Sequence, residues 1–150
     1  MRNFIFGIAS GIAIAVAAIG LKAQDVNHPT LAYASAATLA AALREIPGNG
    51  NRPVVRLDPY TVLAEHRSMP QDLKAPAPVH NGEAELYYVI EGAATLVTGR
   101  TPDQSNGGAT QRIRKGDVLI VPEDTPHWFS AVEGSISYVS MHMPRSSSAR

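Results

Sequence analysis

From Pro53 onward, apolar side chains recur with a period of two in short runs, which glycine, proline, asparagine and aspartate interrupt. Successive side chains of a β-strand point to opposite faces, so this alternation predicts strands, and many short strands separated by turns are typical of an all-β barrel or sandwich. The pattern predicts strands near residues 54–57, 60–67, 85–91, 94–98, 112–114, 118–121, 127–132 and 135–143. The Glu91-Gly92 and Glu133-Gly134 pairs are predicted to form hairpin turns.

One short amphipathic helix precedes the predicted strands. Leu39, Leu43 and Ile46 recur at helical spacing after Ser35, whose hydroxyl is a suitable N-cap, and Pro47-Gly48 stops the run. We expect this helix to pack on the outside of the sheet.

The first 23 residues differ in composition from the rest of the chain. Residues 4–21 are uncharged and rich in alanine, isoleucine and glycine, with Arg2 before them and Lys22-Ala23-Gln24 after them. A basic start, an apolar run and a small residue before a polar segment predict a secretory signal peptide over residues 1–23. An uncleaved membrane anchor is the alternative, because the run just reaches the length of a membrane-spanning helix. Cleavage is favoured because alanine and glycine bury little apolar area in lipid, and either form predicts a periplasmic or secreted protein.

The composition of the whole chain narrows its organisation and its partners. After the signal peptide we expect an N-terminal segment with the helix at 24–52, one barrel domain at 53–144 and a frayed tail at 145–150. The 13 basic and 13 acidic residues include no run that would bind nucleic acid, so we expect no nucleic-acid partner. Because the chain has no cysteine, nitrogen and oxygen atoms must hold any metal ion.

Two stretches place metal-ligand side chains just before apolar runs. The first, HNGEAELYYVIEG at 80–92, carries His80 and Glu85, and the second, GDVLIVPEDTPHWF at 116–129, carries His127. Inside a barrel these groups would cost several kcal/mol to bury unless something satisfied them, and a divalent cation does so. Two imidazoles and one carboxylate suit Fe, Mn, Zn, Ni or Cu. We therefore predict that His80, Glu85 and His127 bind one divalent metal ion.

These two stretches resemble the two motifs of the cupin superfamily, G-x5-H-x-H-x3,4-E-x6-G and G-x5-P-x-G-x2-H-x3-N. The residues in register with motif positions are His80, Glu85, Gly92, Gly116, Pro122 and His127. The resemblance runs from about Tyr60 to Met143 and is to the small single-domain cupins of the cupin 2 type. It implies an all-β fold, a double-stranded β-helix (jelly-roll) barrel, with one short N-terminal helix outside it. It also implies dioxygenases, isomerases, lyases and decarboxylases as candidate activities.

The sequence departs from the cupin pattern at three motif positions. Pro78 stands at the first histidine, Asp124 at the second-motif glycine and Ala131 at the final asparagine. Three protein ligands therefore remain where the family usually has four. His66, on a neighbouring predicted strand, is one candidate for the missing imidazole, although a histidine at a strand end that binds no metal is the favoured interpretation.

Further side chains are predicted to line the cavity beside the ion. Tyr87 shares side-chain parity with Glu85, and Phe129 shares it with His127. Ordinary barrel core is the alternative for both and is favoured for Phe129. His142 could line the cavity mouth or, as the favoured alternative, face solvent. Trp128 has the opposite parity and is expected to pack against the outer helix or a second subunit. Glu83 and Glu123 flank the ligands and are candidates for a general acid or base, although solvated turn carboxylates are the default.

Two functions of different classes fit these features. The first is a metal-dependent enzyme that acts on a small organic molecule, with no catalytic residue assigned beyond the ligands. The second is a non-catalytic cupin that binds a small ligand or serves as a scaffold, with a structural metal or none; Pro78 and Ala131 favour it. Expected partners are a small molecule, a membrane only if the leader stays uncleaved, and, by the resemblance, a second copy of the chain.

Overall fold

The computed structural model describes residues 31–72 and 74–145, so the predicted signal peptide and nearly all of the predicted frayed tail lie outside it. It contains one helix, α1 (Ala36–Arg44), and the strands β1 (Gly50–Leu57), β2 (Tyr60–Arg67), β3 (Glu83–Thr98), β4 (Ala109–Arg114), β5 (Val118–Val121) and β6 (His127–Pro144). The predicted all-β class with one short N-terminal helix is confirmed. Within the described ranges, no helix is long and apolar enough to cross a membrane.

Helix α1 begins where its cap residue predicts. The Ser35 hydroxyl oxygen accepts a hydrogen bond from the backbone N–H of Thr38 at 3.1 Å, and this bond satisfies one of the N–H groups that a helix start leaves without a partner. The helix packs against β1 and β2, and Ile46, which follows it, is buried. The predicted cap is therefore confirmed, whereas the helix ends at Arg44, before Ile46 and the predicted stop at Pro47-Gly48.

The six strands form one antiparallel sheet in the order β1-β2-β6-β3-β4, and β5 also pairs with β3. Strands β3 and β6 pair along nearly their whole length, from Glu83 opposite Pro144 to Thr98 opposite His127. The other edge of β3 pairs with β5 over residues 85–88 and with β4 over residues 93–98. This long β3–β6 pair forms the centre of the barrel and carries most of the candidate site.

The predicted hairpin turns at Glu91-Gly92 and Glu133-Gly134 are wrong, because β3 and β6 each continue through them. Gly92 has a φ of 80°, and a Cβ atom at this position would lie 1.9 Å from the backbone oxygen of Ser135. The pairing register of β3 with β6 shifts between Val89 and Glu91 and again just after Gly92. These glycines therefore bend two long strands and do not reverse the chain, as glycines at β-bulges do.

The interior of the barrel contains an apolar cluster and a set of buried polar side chains. A buried apolar cluster consists of Tyr87, Val89, Ala94, Leu96, Ile113, Val121, Phe129, Ile136 and Tyr138. Four polar side chains are also buried, namely Glu65, Glu85, His127 and Ser140. Because buried polar groups destabilise a fold unless they have partners, the contacts of these four residues locate the candidate site.

Candidate metal centre

Glu85 is at the centre of a cluster of polar side chains inside the barrel. It lies on β3 opposite His142 of β6, and only 4% of its surface is exposed. Its Oε2 atom accepts a hydrogen bond from the Tyr87 hydroxyl at 2.8 Å and lies 3.1 Å from Nε2 of both His80 and His127. Its Oε1 atom lies 3.4 Å from Nε2 of His142. One carboxylate is therefore surrounded by three imidazoles.

The loop before β3 and the loop before β6 are tied together, and this contact brings His80 to His127. The backbone N–H of His127 donates to the Pro78 carbonyl at 3.1 Å, and the N–H of Asp124 donates to the His80 carbonyl at 3.1 Å. The Asp124 carboxylate also accepts from the backbone N–H of Gly82 at 2.9 Å. Pro78, which replaces a motif histidine, thus contributes its backbone oxygen to the positioning of His127.

Asp124 explains one departure from the cupin pattern. It has a φ of 57°, the left-handed backbone conformation that favours glycine, and the motif has glycine at this position. Aspartate tolerates this conformation better than most residues because its short side chain makes local hydrogen bonds. The replacement therefore preserves the turn that leads to His127.

His142 supplies the third imidazole, and its position differs from the favoured prediction that it faces solvent. Its ring centroid lies 4.1 Å from that of His80. The ligand atoms of His80, Glu85 and His142 lie within 4.8 Å of one another, a spacing that could hold a metal ion. His127, a predicted ligand, is not in this group, although its Nε2 lies 3.1 Å from Oε2 of Glu85. A third imidazole, from the end of β6, therefore joins the two that the motifs supply. The sequence signal for this was the spacing of two along β6: His142 is on the same face as Tyr138 and Ser140, which also point inward.

Hydrogen bonds fix the orientation of two of the three rings. Nδ1 of His127 lies 3.0 Å from the Thr125 carbonyl oxygen, and Nδ1 of His142 lies 3.1 Å from a Glu83 carboxylate oxygen. Because both partners can only accept, each Nδ1 carries the proton, and each Nε2 is directed at Glu85. Metal-binding histidines are typically oriented in this way by a carbonyl or carboxylate at the other ring nitrogen.

The charges of the cluster perturb its pKa values. Burial alone would raise the pKa of Glu85, but hydrogen bonds from His127 and Tyr87, together with the nearby imidazoles, lower it to about 2. Burial opposes protonation of His127, yet its contacts with Glu85 and Thr125 raise its pKa. For His80, burial and the neighbouring imidazoles outweigh Glu85 and lower the pKa. Glu85 is therefore a carboxylate at neutral pH, the protonation state that metal binding requires.

The donor set fits a divalent metal ion. It consists of three imidazole nitrogens and one carboxylate oxygen, the ligand types that suit Fe, Mn, Zn, Ni or Cu. Two donors at right angles, each about 2.1 Å from an ion, lie roughly 3.0 Å apart. The separations from Oε2 of Glu85 to Nε2 of His80 and of His127, both 3.1 Å, are close to this value, whereas Nε2 of His142 lies 3.4 Å from the other carboxylate oxygen, Oε1. His80, Glu85, His127 and His142 would hold the ion.

A cavity of about 280 Å³ adjoins the cluster. Three of the residues predicted to line it do so, namely Tyr87, Phe129 and His142. His66 is not among the lining residues: its Nδ1 lies 3.1 Å from the Ser137 hydroxyl, and its neighbours Glu65 and Arg67 line the cavity instead. Neighbouring side chains of a strand point to opposite faces, so His66 is on the face of β2 away from the ligands.

Trp128 packs differently from the prediction. Its buried side chain forms a small cluster with Ala77 and Val97, and its indole N–H donates to the Arg100 carbonyl at 3.3 Å. It also borders the cavity. Its cluster partners therefore lie in the loop before β3 and in β3 itself and not in helix α1, while the alternative contact with a second subunit stays a prediction.

Sequence reasoning missed a second polar group in the cavity wall, formed by Glu65, Arg67 and Tyr138; Ser140, which is not among the lining residues, donates to Glu65. Charged residues at every second position of a strand ordinarily indicate the face that points to solvent. On β2 the face that carries Glu65 and Arg67 points to the interior instead. The available signal was the alternation along β2, which puts Glu65 and Arg67 on one face of the strand and His66 on the other.

The comparisons with known proteins agree with this architecture. The family model described as cupin domain matches residues 65–141, and the chain therefore belongs to the cupin domain family. No curated protein sequence gives a significant match.

Solved structures share the fold at low sequence identity. Protein TT1209 from Thermus thermophilus is 18% identical with a TM-score of 0.56, over 72% of this chain and 95% of that one. Protein NMB1881 from Neisseria meningitidis is 15% identical with a TM-score of 0.54, over 70% and 95%. HppE in its Fe(II) form is 18% identical with a TM-score of 0.53, over 64% of this chain and half of that one.

Proposed function

We propose that this exported cupin binds one divalent metal ion through His80, Glu85, His127 and His142 and acts on a small organic molecule in the adjoining cavity. The proposal joins a ligand set on β3, β6 and the loop before β3 to a cavity large enough for a small substrate. A bound divalent ion would polarise an oxygen group of the substrate or activate water or dioxygen. A dioxygenase, an isomerase and a lyase are the candidate reaction types.

The observation that carries the proposal is the orientation of His127 and His142. Each donates through Nδ1, so a neutral ring directs the lone pair of Nε2 at an oxygen of Glu85, 3.1 or 3.4 Å away. Lone pairs that face a carboxylate repel it unless the ring gains a second proton or a cation lies between them. A divalent ion satisfies all the donors with neutral rings, whereas protons alone require imidazolium ions in a buried site.

The surrounding residues of the chain orient the cluster. The Tyr87 hydroxyl donates to Glu85 and fixes the carboxylate, while Glu83 fixes the His142 ring. Phe129, Leu96 and Leu63 supply apolar wall on the cavity side and limit the entry of water. An apolar wall lowers the local dielectric constant, so the charged groups beside it act more strongly on a bound molecule. HppE, a fold neighbour, is described with Fe(II), which supports iron as one candidate ion.

One observation favours the alternative of a non-catalytic binding or scaffold cupin. Among the described residues, every buried side-chain nitrogen and oxygen has a hydrogen-bond partner without any ion. Protonated imidazoles could therefore satisfy Glu85 by themselves and leave the cavity as a simple ligand site. The two functions differ in whether the purified protein binds metal.

Metal analysis separates these functions. The protein is purified without added metal, its metals are measured by elemental analysis, and Mn, Fe, Ni, Zn or Cu is then added back. The proposal expects close to one equivalent of a divalent ion in the wild type and a strong loss in His80→Ala and His127→Ala. His66→Ala, a histidine outside the cavity, is the matched control and should retain the metal. Less than one equivalent after every addition, unchanged in the variants, contradicts the proposal.

A further inference from the structure

The cavity has a second charged end, formed by Arg67. Its Nη1 donates to the Gly50 carbonyl at 2.6 Å and to the His66 carbonyl at 2.9 Å, and its Nη2 donates to Glu65 at 2.6 Å. The guanidinium carbon lies 5.8 Å from the centre of the Tyr138 ring. These contacts hold a long side chain in one position in the cavity wall.

Glu65 anchors Arg67 and has little capacity left for a ligand. Its carboxylate accepts from the Tyr138 hydroxyl at 3.2 Å, from the Ser140 hydroxyl and from Arg67, and only 4% of the residue is exposed. Glu65 therefore serves to fix the guanidinium.

Arg67, in contrast, retains donors that can face the cavity. A guanidinium has five N–H groups, and the described residues accept from three of them. Its side chain is 23% exposed, and it borders the same cavity as the three imidazoles. Although burial opposes its charged form, Tyr138 and Glu65 hold its pKa above the usual value, so it is always a cation.

The two ends of the cavity are joined by aromatic rings. Tyr87 donates to Glu85 at one end and Tyr138 donates to Glu65 at the other, and the two rings meet edge to face at 5.0 Å. Apolar wall from Leu63, Leu96 and Phe129 also borders the cavity. A ligand in the cavity would therefore border the metal ligands, an apolar surface and Arg67.

The charge of the lining favours an anion. The charged lining residues are two carboxylates and one guanidinium, apart from the three imidazoles. With neutral imidazoles and a divalent ion, the lining carries a net charge of about +1. A ligand with one negative charge would neutralise it, and a carboxylate matches the donor geometry of arginine.

We propose that Arg67 is the recognition residue for a carboxylate, and that the natural ligand is a small organic monocarboxylate whose other end faces the metal centre. This inference rests on the proposed metal function. Glu65 is a positioning residue that fixes Arg67. The remaining N–H groups of Arg67 bind the carboxylate oxygens, so the enzyme prefers acids to their amides.

The test uses a matched pair of probes that share one metal-binding group, the monohydroxamate of succinic acid and its primary amide, together with the glutaric pair to vary length. Binding to the Zn-loaded protein is measured by titration calorimetry. We expect the acid to bind about tenfold more tightly than the amide, or more, because charge-assisted hydrogen bonds to arginine are strong. Increasing salt should reduce this preference in the wild type.

The decisive variant carries Glu65→Gln and Arg67→Met together, because it leaves no buried carboxylate without a partner and keeps the net charge of the cavity. The acid preference should largely disappear while Zn-dependent binding of the amide remains. Arg112→Met with Glu133→Gln removes a surface pair, in which Arg112 Nε lies 2.6 Å from Glu133, and should change nothing. If both probes bind the wild type equally, or the preference survives in the double variant, the role of Arg67 is overturned and the metal centre stands. If neither probe binds in a Zn-dependent way, the metal centre itself fails.

Discussion

At the residue scale, His142 differs most from what its sequence position suggests. Its ring lies tilted by 56° against that of His80, and Glu83 orients its Nδ1 so that Nε2 is directed at Glu85. We predict that His142→Ala weakens metal binding by more than about tenfold, the loss that even outer-shell partners typically cause. Chelator competition measures the affinity.

His66→Ala is the matched control for this prediction, because its imidazole contacts Ser137 and does not border the cavity. Its metal affinity should equal that of the wild type. Equal affinities in His142→Ala and the wild type would show that His80, Glu85 and His127 suffice as a three-ligand site.

Glu85 makes the stability of the metal-free protein depend on pH. Its pKa in the folded state is about 2, below the ordinary 4.5, so its stabilising contribution is complete above about pH 4.5 and is lost as the pH falls toward 2. Relative to Glu85→Gln, the metal-free wild type should lose roughly 2 kcal/mol of unfolding free energy between pH 5.5 and 3. Urea unfolding at several pH values measures this difference.

The exposed Glu91 of the same strand gives the control variant, Glu91→Gln, which should follow the wild-type pH profile. If the unfolding free energies of the wild type and of Glu85→Gln change in parallel with pH, the contacts of Glu85 with the imidazoles and Tyr87 do not stabilise its charged form.

The ligands show which parts of a site the sequence can predict. His80, Glu85 and His127 keep motif spacing within short segments, so local sequence indicates them. His142 and Glu65 reach the site only through the pairing of β6 with β3 and β2, which sequence spacing does not reveal. The proline at position 78 indicated a missing ligand but not where a replacement would come from.

At the element scale, β3 and β6 each join two predicted strands, because the glycines between those strands bend the chain and do not reverse it. Sequence alone cannot distinguish a glycine that reverses the chain from one at a bulge, since both need a positive φ. The strand positions themselves followed from the period of two, and β2 matches its predicted bounds, Tyr60–Arg67.

Gly92 gives a prediction for these bent strands. A Cβ atom there would lie 1.9 Å from the Ser135 backbone oxygen, whereas at Gly134, whose φ is 72°, it would meet nothing within 4 Å. Gly134→Ala should therefore cost about 1 kcal/mol from its backbone conformation alone. Gly92→Ala should cost more than about 3 kcal/mol, because β3 and β6 must also separate.

Chemical denaturation of the two alanine variants measures both costs, and Gly134→Ala is the control for backbone conformation. Similar free energies of unfolding for the two variants would mean that the close approach of β3 and β6 at Gly92 does not constrain the barrel.

At the scale of the whole molecule, the apolar run at residues 4–21 gives a prediction about where the protein functions. We propose that residues 1–23 are removed on export, so the protein recovered outside the cytoplasm should begin at Gln24 by intact mass. Val16→Arg places a charge in the apolar run and should leave the uncleaved chain inside the cell. Full-length protein in the membrane fraction would instead indicate an uncleaved anchor.

The metal centre is the central claim, and a crystal structure of the protein loaded with Zn²⁺ or Mn²⁺ tests it most directly. Anomalous scattering locates the ion. We predict one anomalous peak between His80, Glu85, His127 and His142, about 2.0–2.3 Å from the three Nε2 atoms and one carboxylate oxygen. The absence of a peak there in a crystal grown with excess metal, with the imidazoles still bonded to Glu85, would contradict the account.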